Sequence, residues 1–319
     1  MNKIKGMKFI LMLIFAIGNS QCLFAQNSLP PNIQHLSVQR LDDSYMDVYI
    51  NNKHPEKKLP ILILCQGSGY DSNTKGFLGI AAKFEEQVVG LMIEKQGVKY
   101  GDSGDSLSML YKENNTVYNR LYDYLRVLQY LRKHADWWNG DLYVFGGSEG
   151  GLLAGMLASY YPNVKGLAII CYGGGLKFGE AWPISSGLQK KLEGEDSIAV
   201  RKEELAVKDT LDNIKQHATF LLSFSGDDNT YAWWASVINL RLSNSLVDLD
   251  IPIFVGQGSE DIMAPPISAK KLQQIFQQSG KTNLLLKEYV GYDHSFTDLL
   301  HKNHLGEVCI DAISWILKH

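Results

Sequence analysis

A serine hydroxyl attacks a carbonyl at neutral pH only when a neighbouring base takes its proton. A histidine does this best when a carboxylate fixes its tautomer and stabilises its charged form. Ser148 sits in Gly146-Gly147-Ser148-Glu149-Gly150-Gly151, after the apolar run Leu142 to Phe145 and before Leu152-Leu153-Ala154. This order reads as strand, tight turn and helix, and it fits the Gly-x-Ser-x-Gly elbow that presents a serine at the top of a sheet. Small residues belong there because the strand and helix backbones nearly collide. A carboxylate, Asp261, follows the apolar run Ile251 to Gly258 by a few residues, and His294 follows the run Leu284 to Val290. Glu260, Asp227 and Asp228 are other carboxylates that could serve as the acid. His301 and His304 compete with His294 but lie on a polar stretch and are expected to be solvated.

Acyl transfer also needs donors for the oxyanion of the tetrahedral intermediate. The N–H of Glu149 opens the helix after the serine, where backbone amides lack intrahelical partners. A second N–H is expected from Gln66-Gly67-Ser68-Gly69-Tyr70-Asp71, a loop that follows the apolar run Ile61 to Cys65. Either Ser68 or Gly69 would supply it.

These loops need a scaffold with several strands ending on one side. Runs at 61–65, 88–93, 142–145, 164–171, 251–258 and 284–290 are continuously apolar, as strands buried on both faces are, and helical segments separate them. The fold class is therefore α/β, with a mostly parallel central sheet and helices on both faces. Residues 34–50 alternate around Asp42-Asp43-Ser44 and predict an antiparallel hairpin at a sheet edge. Helices are predicted over 77–84, 116–132, 268–278 and 306–318, with Ser268 as a cap. On the helix over 116–132, Arg120, Asp123 and Arg126 are expected to form a solvated or salt-bridged face. Gly173 to Asp250 breaks the alternation and is expected to be a helical cap over the carboxyl ends of the strands, where ligands bind in open α/β sheets. Trp182, Tyr231, Trp233 and Trp234 are candidates for lining a pocket there, or for packing within the cap, and Tyr70 and Tyr100 are further pocket candidates.

The chain resembles the α/β-hydrolase superfamily over about residues 34 to 319. The resemblance rests on Gly146 to Gly151, on Gly256-Gln257-Gly258-Ser259-Glu260-Asp261 and on Asp293-His294-Ser295-Phe296. The loop Glu94 to Ser103 looks like the Asp-x-Arg-Gly-x-Gly-x-Ser loop of that superfamily, with Glu94 and Gln96 at the first acid and the arginine. Gln66 stands where many members have histidine. The doubled glycine after the serine and the placement of the cap are similar to the dienelactone-hydrolase, prolyl-oligopeptidase-like and acyl-CoA thioester hydrolase branches. The resemblance implies a serine hydrolase with Ser148, Asp261 and His294 as its triad, cleaving an ester, with amide or thioester cleavage or acyl transfer as alternatives. A protein that keeps the fold only for binding is a further alternative.

The chain has 319 residues, 45% of them hydrophobic and 20% charged, enough for one large α/β domain. A formal net charge of -3 favours neither nucleic acid nor an anionic membrane as a partner, and leaves a small-molecule ester or a short peptide as the expected substrate. Lys3, Lys5 and Lys8 precede the apolar run Phe9 to Ile17, the order of a secretory signal peptide, with cleavage expected after Ala25. The run is too short for a stable membrane span. Export to the periplasm or medium is thus expected, and lipid attachment at Cys22 is the lesser alternative. Cys65, Cys171 and Cys309 would remain, an odd number with no disulfide framework. No cofactor or metal is implied by any ligand spacing.

Overall fold

The computed structural model describes residues 29–30, 32–104, 107–223 and 229–319. The signal-peptide reading of residues 1–25, Cys22, and the alternative acids Asp227 and Asp228 lie outside the described residues.

Strands β1 (Ile33–Gln39) and β2 (Tyr45–Asn51) form the antiparallel hairpin, and β2 joins the rest of the sheet antiparallel to β4 (Val89–Ile93). Beyond β4 every pairing is parallel, through β3 (Leu59–Cys65), β5 (Trp138–Gly147), β6 (Val164–Ile170), β7 (Ile253–Gly258) and β8 (Leu284–Tyr289). The spatial order is β1-β2-β4-β3-β5-β6-β7-β8. The middle strands read as unbroken Leu, Ile and Val because both of their faces are covered: Ile61, Leu62, Ile63 and Leu64 are fully buried. Each such side chain contributes about 1.5–3 kcal/mol when taken out of water.

Helices α3 (Val117–His134), α4 (Glu149–Tyr160) and α9 (Pro266–Gln278) cover one face, with Val117, Leu128, Leu153 and Leu272 in one apolar cluster. Helices α1 (Thr74–Ala81) and α10 (Leu305–Ile316) cover the other, with Phe77, Val308 and Ile313 in a second cluster. A short helix α2 (Met109–Asn114) is capped by the Ser108 hydroxyl accepting from the Tyr111 N–H. Between β6 and β7 run α5 (Phe178–Leu192), α6 (Ser197–Gln216), α7 (Tyr231–Val237) and α8 (Ser243–Leu246). Helix α6 starts on the Asp196 cap, whose carboxylate accepts from the Ile198 and Ala199 N–H groups. The helix buries its apolar positions Val200, Val207, Leu211 and Ile214.

Two local expectations are corrected. Ser268 does not cap α9, which begins at Pro266 with Pro265 before it; the Ser268 hydroxyl instead accepts from the Leu176 N–H, where the insertion leaves the sheet. His304 is not solvated. It is buried at the start of α10, stacks on Tyr292, and has Asp298 and Glu307 carboxylates on its two ring nitrogens.

Candidate active site

Strand β5 ends at Gly147 and α4 begins at Glu149, leaving Ser148 alone to turn the chain. Its backbone has φ 55° and ψ -127°, a conformation that costs a residue with a side chain on the order of 1–3 kcal/mol. The surrounding bonds hold it there. The Ser148 N–H donates to Ile170 O on β6 at 3.0 Å, and the Gly151 N–H donates back to Ser148 O at 2.8 Å. The flanking glycines are required by contact: a Cβ at Gly146 would lie 2.0 Å from Gly150 O, and one at Gly150 would lie 2.1 Å from Cys65 O.

His294 and Asp261 reach Ser148 from the loops after β8 and β7. Nε2 of His294 is 3.2 Å from Ser148 Oγ, and its Nδ1 is 2.8 and 3.0 Å from the two Asp261 carboxylate oxygens. With Nδ1–H donated to the carboxylate, Nε2 is left as the acceptor facing the serine hydroxyl. Asp261 is only 1% exposed, so its charge has to be met by donors. Oδ1 accepts from the N–H groups of Met263 and Ala264 at 3.0 and 2.8 Å, and Oδ2 accepts from the Gln257 amide at 2.9 Å. Neighbouring Glu260 is exposed, and its carboxylate accepts from the adjacent Ser259 hydroxyl.

The candidate oxyanion donors are the N–H of Glu149, first residue of α4, and a group in the loop after β3. Ser68 borders the cavity above Ser148; Gly69, with φ 100°, does not. That loop is tied down by charged and phenolic donors that the sequence reading did not single out. The Lys95 ammonium and the Tyr111 hydroxyl both donate to Gly69 O, the latter at 3.0 Å. Arg120 donates to Gln66 O at 2.5 Å, and its other terminal nitrogen lies 2.8 Å from Glu149 Oε1. The Gln66 side-chain amide donates to Glu94 at 3.0 Å, and Ser72 and Thr74 hydroxyls converge on the same carboxylate.

Arg120 is thus no solvated residue; it is 5% exposed and bridges the two backbone segments that would hold an oxyanion. Asp123 is buried in a two-pronged pair with Arg40, while Arg126 stays at the surface. The helical spacing carried this signal, since Arg120 lies three residues after Val117 and four before Tyr124, on the buried face. Burial, and then repulsion from Arg120, pull the Lys95 ammonium down to about 8.

Above Ser148 lies a partly open cavity of about 60 Å³, walled mainly by apolar side chains. Trp182, Trp233 and Trp234 line it together with Leu176, Phe178 and Met263. Trp182 stacks on Trp234 at 4.3 Å, which makes that wall rigid. Tyr70, Tyr100 and Tyr231 do not line the cavity. Tyr70 packs edge-on against Tyr111, Tyr100 packs on Tyr49 of β2, and Tyr231 packs against His217 and Phe220 within the insertion.

No protein-family profile matches the chain, and no curated protein matches it in sequence. Solved structures do match. Est1E from Butyrivibrio proteoclasticus superposes with a TM-score of 0.56 at 15% identity, over 89% of this chain and 98% of that one. A protein from Klebsiella pneumoniae described as a dienelactone hydrolase gives 0.57 at 14% identity, over 90% and 98%. A puromycin-hydrolyzing peptidase of Mycobacterium tuberculosis gives 0.57 at 12% identity, over 89% of this chain and 38% of its own. At these identities the likeness is one of fold.

Proposed function

We propose that this chain, which has the α/β-hydrolase fold, is a serine hydrolase that cleaves esters of short acyl groups through an acyl-enzyme. The observation that carries the reading is the continuous line of contacts from Asp261 through His294 to Ser148 Oγ, on an elbow strained into that geometry. His294 Nε2 takes the hydroxyl proton as Oγ bonds to the acyl carbon, and the N–H groups of Glu149 and Ser68 meet the oxyanion. The imidazolium then protonates the leaving alcohol as its C–O bond breaks. Water, deprotonated by His294, attacks the acyl-enzyme, and the proton returns to Ser148 as the acid leaves.

The small volume of the cavity, about 60 Å³, and its largely apolar walls support a short acyl group. The basic, apolar and polar order of residues 1–25 supports export, where small esters are met more readily than coenzyme A thioesters.

Steady-state turnover of 4-nitrophenyl acetate, butyrate and octanoate, beside an aminoacyl 4-nitroanilide, tests this. Expected is kcat/KM highest for acetate or butyrate, at least tenfold lower for octanoate, and lost in Ser148→Ala. A preference for octanoate would contradict the acyl assignment. Turnover of the anilide above the esters would make the chain a peptidase instead.

A further inference from the structure

A second depression adjoins this cavity. It is much wider, with a volume of about 580 Å³, and shares Ser185, Met263 and His294 with the first. His294 therefore stands between a small apolar chamber and a wide groove lined in part by charged side chains. In acyl transfer the two sides of the scissile bond go to different places, and the histidine must reach the leaving oxygen. On the reading of the site as a short-acyl esterase, the chamber takes the acyl group and the groove takes the alcohol.

The walls of the groove are unbalanced in charge. Glu193, Glu203, Glu260 and Asp293 face it against a single ammonium, Lys190, which is itself paired with Glu193 at 2.7 Å. A second feature points to a ligand independently of charge. Ser186 lines the same groove on α5, is 2% exposed, and its hydroxyl has no hydrogen-bond partner among the described residues. A buried hydroxyl left unpaired costs free energy that a bound polar group would recover. The neighbouring Ser185 hydroxyl donates to Ile262 O and fixes α5 against the loop that carries Asp261, so the groove is built on the same frame as the triad.

We propose that this groove is a leaving-group subsite for a cationic amino alcohol. Its ammonium lies among Glu203, Glu260 and Asp293, and an N–H is accepted by the Ser186 hydroxyl. An acidic cleft beside a catalytic group concentrates a cation and speeds its productive encounter. The product alcohol leaves through the groove with the proton supplied by His294, while the acyl group stays on Ser148 in the smaller chamber.

The test uses two esters of the same shape, 2-(dimethylamino)ethyl acetate, protonated at neutral pH, and 3-methylbutyl acetate. The kcat/KM ratio of the pair is divided by the ratio of their hydroxide-catalysed rates, which removes intrinsic reactivity. Expected is a corrected ratio of about ten at low ionic strength, falling to within about twofold at 1 M salt, where charge is screened over roughly 3 Å. Glu203→Gln with Glu260→Gln should lower the ratio about threefold or more, and because the ratio is taken within one variant it is insensitive to the folded fraction. Ser186→Ala should lower it further. A corrected ratio near one in the parent protein, or a ratio the double substitution leaves unchanged, overturns the subsite. Turnover of the neutral ester with no cationic preference defeats the subsite and leaves the hydrolase reading intact; no turnover of either ester by folded protein defeats both.

Discussion

Replacing Arg120 with methionine removes a buried guanidinium that touches both halves of the candidate oxyanion site. The substitution keeps most of the side-chain volume, so the loss is chiefly one of charge and donors. Two consequences separate. Glu149 is left as a buried carboxylate without its cation, and breaking a buried pair from one side costs about 3–5 kcal/mol. With roughly 2.1 cal/mol/K of unfolding entropy per residue, a chain of this size loses about 5–8 °C in Tm. Gln66 O loses its donor as well, which frees the segment carrying Ser68, and loss of one oxyanion donor lowers kcat about 10²–10³-fold. The assay is kcat and KM on 4-nitrophenyl acetate beside thermal unfolding, for Arg120→Met, Glu149→Gln and the double variant. The double variant no longer buries an unpaired charge and should recover most of the lost Tm. Its kcat should stay low, because nothing restores the Gln66 contact. An Arg120→Met protein with undiminished kcat would refute the positioning role, and a double variant that recovers kcat together with Tm would reduce Arg120 to a stabilising residue.

Other perturbations have equally definite outcomes. Asp261→Asn keeps the shape but cannot hold the imidazole in the required tautomer, and kcat should fall by about 10⁴-fold with KM little changed. Gly150→Ala places a methyl 2.1 Å from the backbone carbonyl oxygen of Cys65, which cannot swing aside as a side chain could, so soluble expression or cooperative melting should be lost; a stable, active variant would contradict the packing at the elbow. Lys95, held down to about 8 in the folded chain against an ordinary 10.5, binds fewer protons folded than unfolded between these values. Stability of the parent relative to Lys95→Met should therefore rise by about 2 kcal/mol from pH 8 to 10, read from urea unfolding at each pH. Burial pushes the Cys65 and Cys309 thiols up to about 12 and holds Cys171 well above the usual range. These three should resist a thiol reagent at neutral pH in folded protein and react on unfolding.

The sheet was legible because its strands are short apolar runs broken by helical periodicity, a pattern in which local propensity and burial agree. The three residues of the Ser148, Asp261 and His294 line were legible because each follows a strand end, where an α/β sheet gathers its loops. What escaped was held by long-range contacts. Glu94 looked like a loop acid until Ser72, Thr74 and Gln66 were found around it. Lys95 and Tyr111 come from separate segments to one carbonyl, Gly69 O. Arg120 could have been caught, since its position on the apolar stripe of α3 conflicted with its charge, and such conflicts mark buried ion pairs. Tyr70 and Tyr100 lie away from the cavity, and Tyr231 packs within the insertion, the alternative the sequence left open: composition says that an aromatic ring will be covered, but not by what. Only the packing of Tyr100 on Tyr49 and of Tyr231 on Phe220 decides that.

Labelling with a fluorophosphonate, followed by peptide mass spectrometry, tests most directly whether Ser148 is an activated nucleophile. The triad geometry predicts stoichiometric modification at Ser148, lost in Ser148→Ala and strongly slowed in Asp261→Asn and in a His294→Ala variant. A well-folded protein that takes up no label, or that is labelled at another serine, would contradict it.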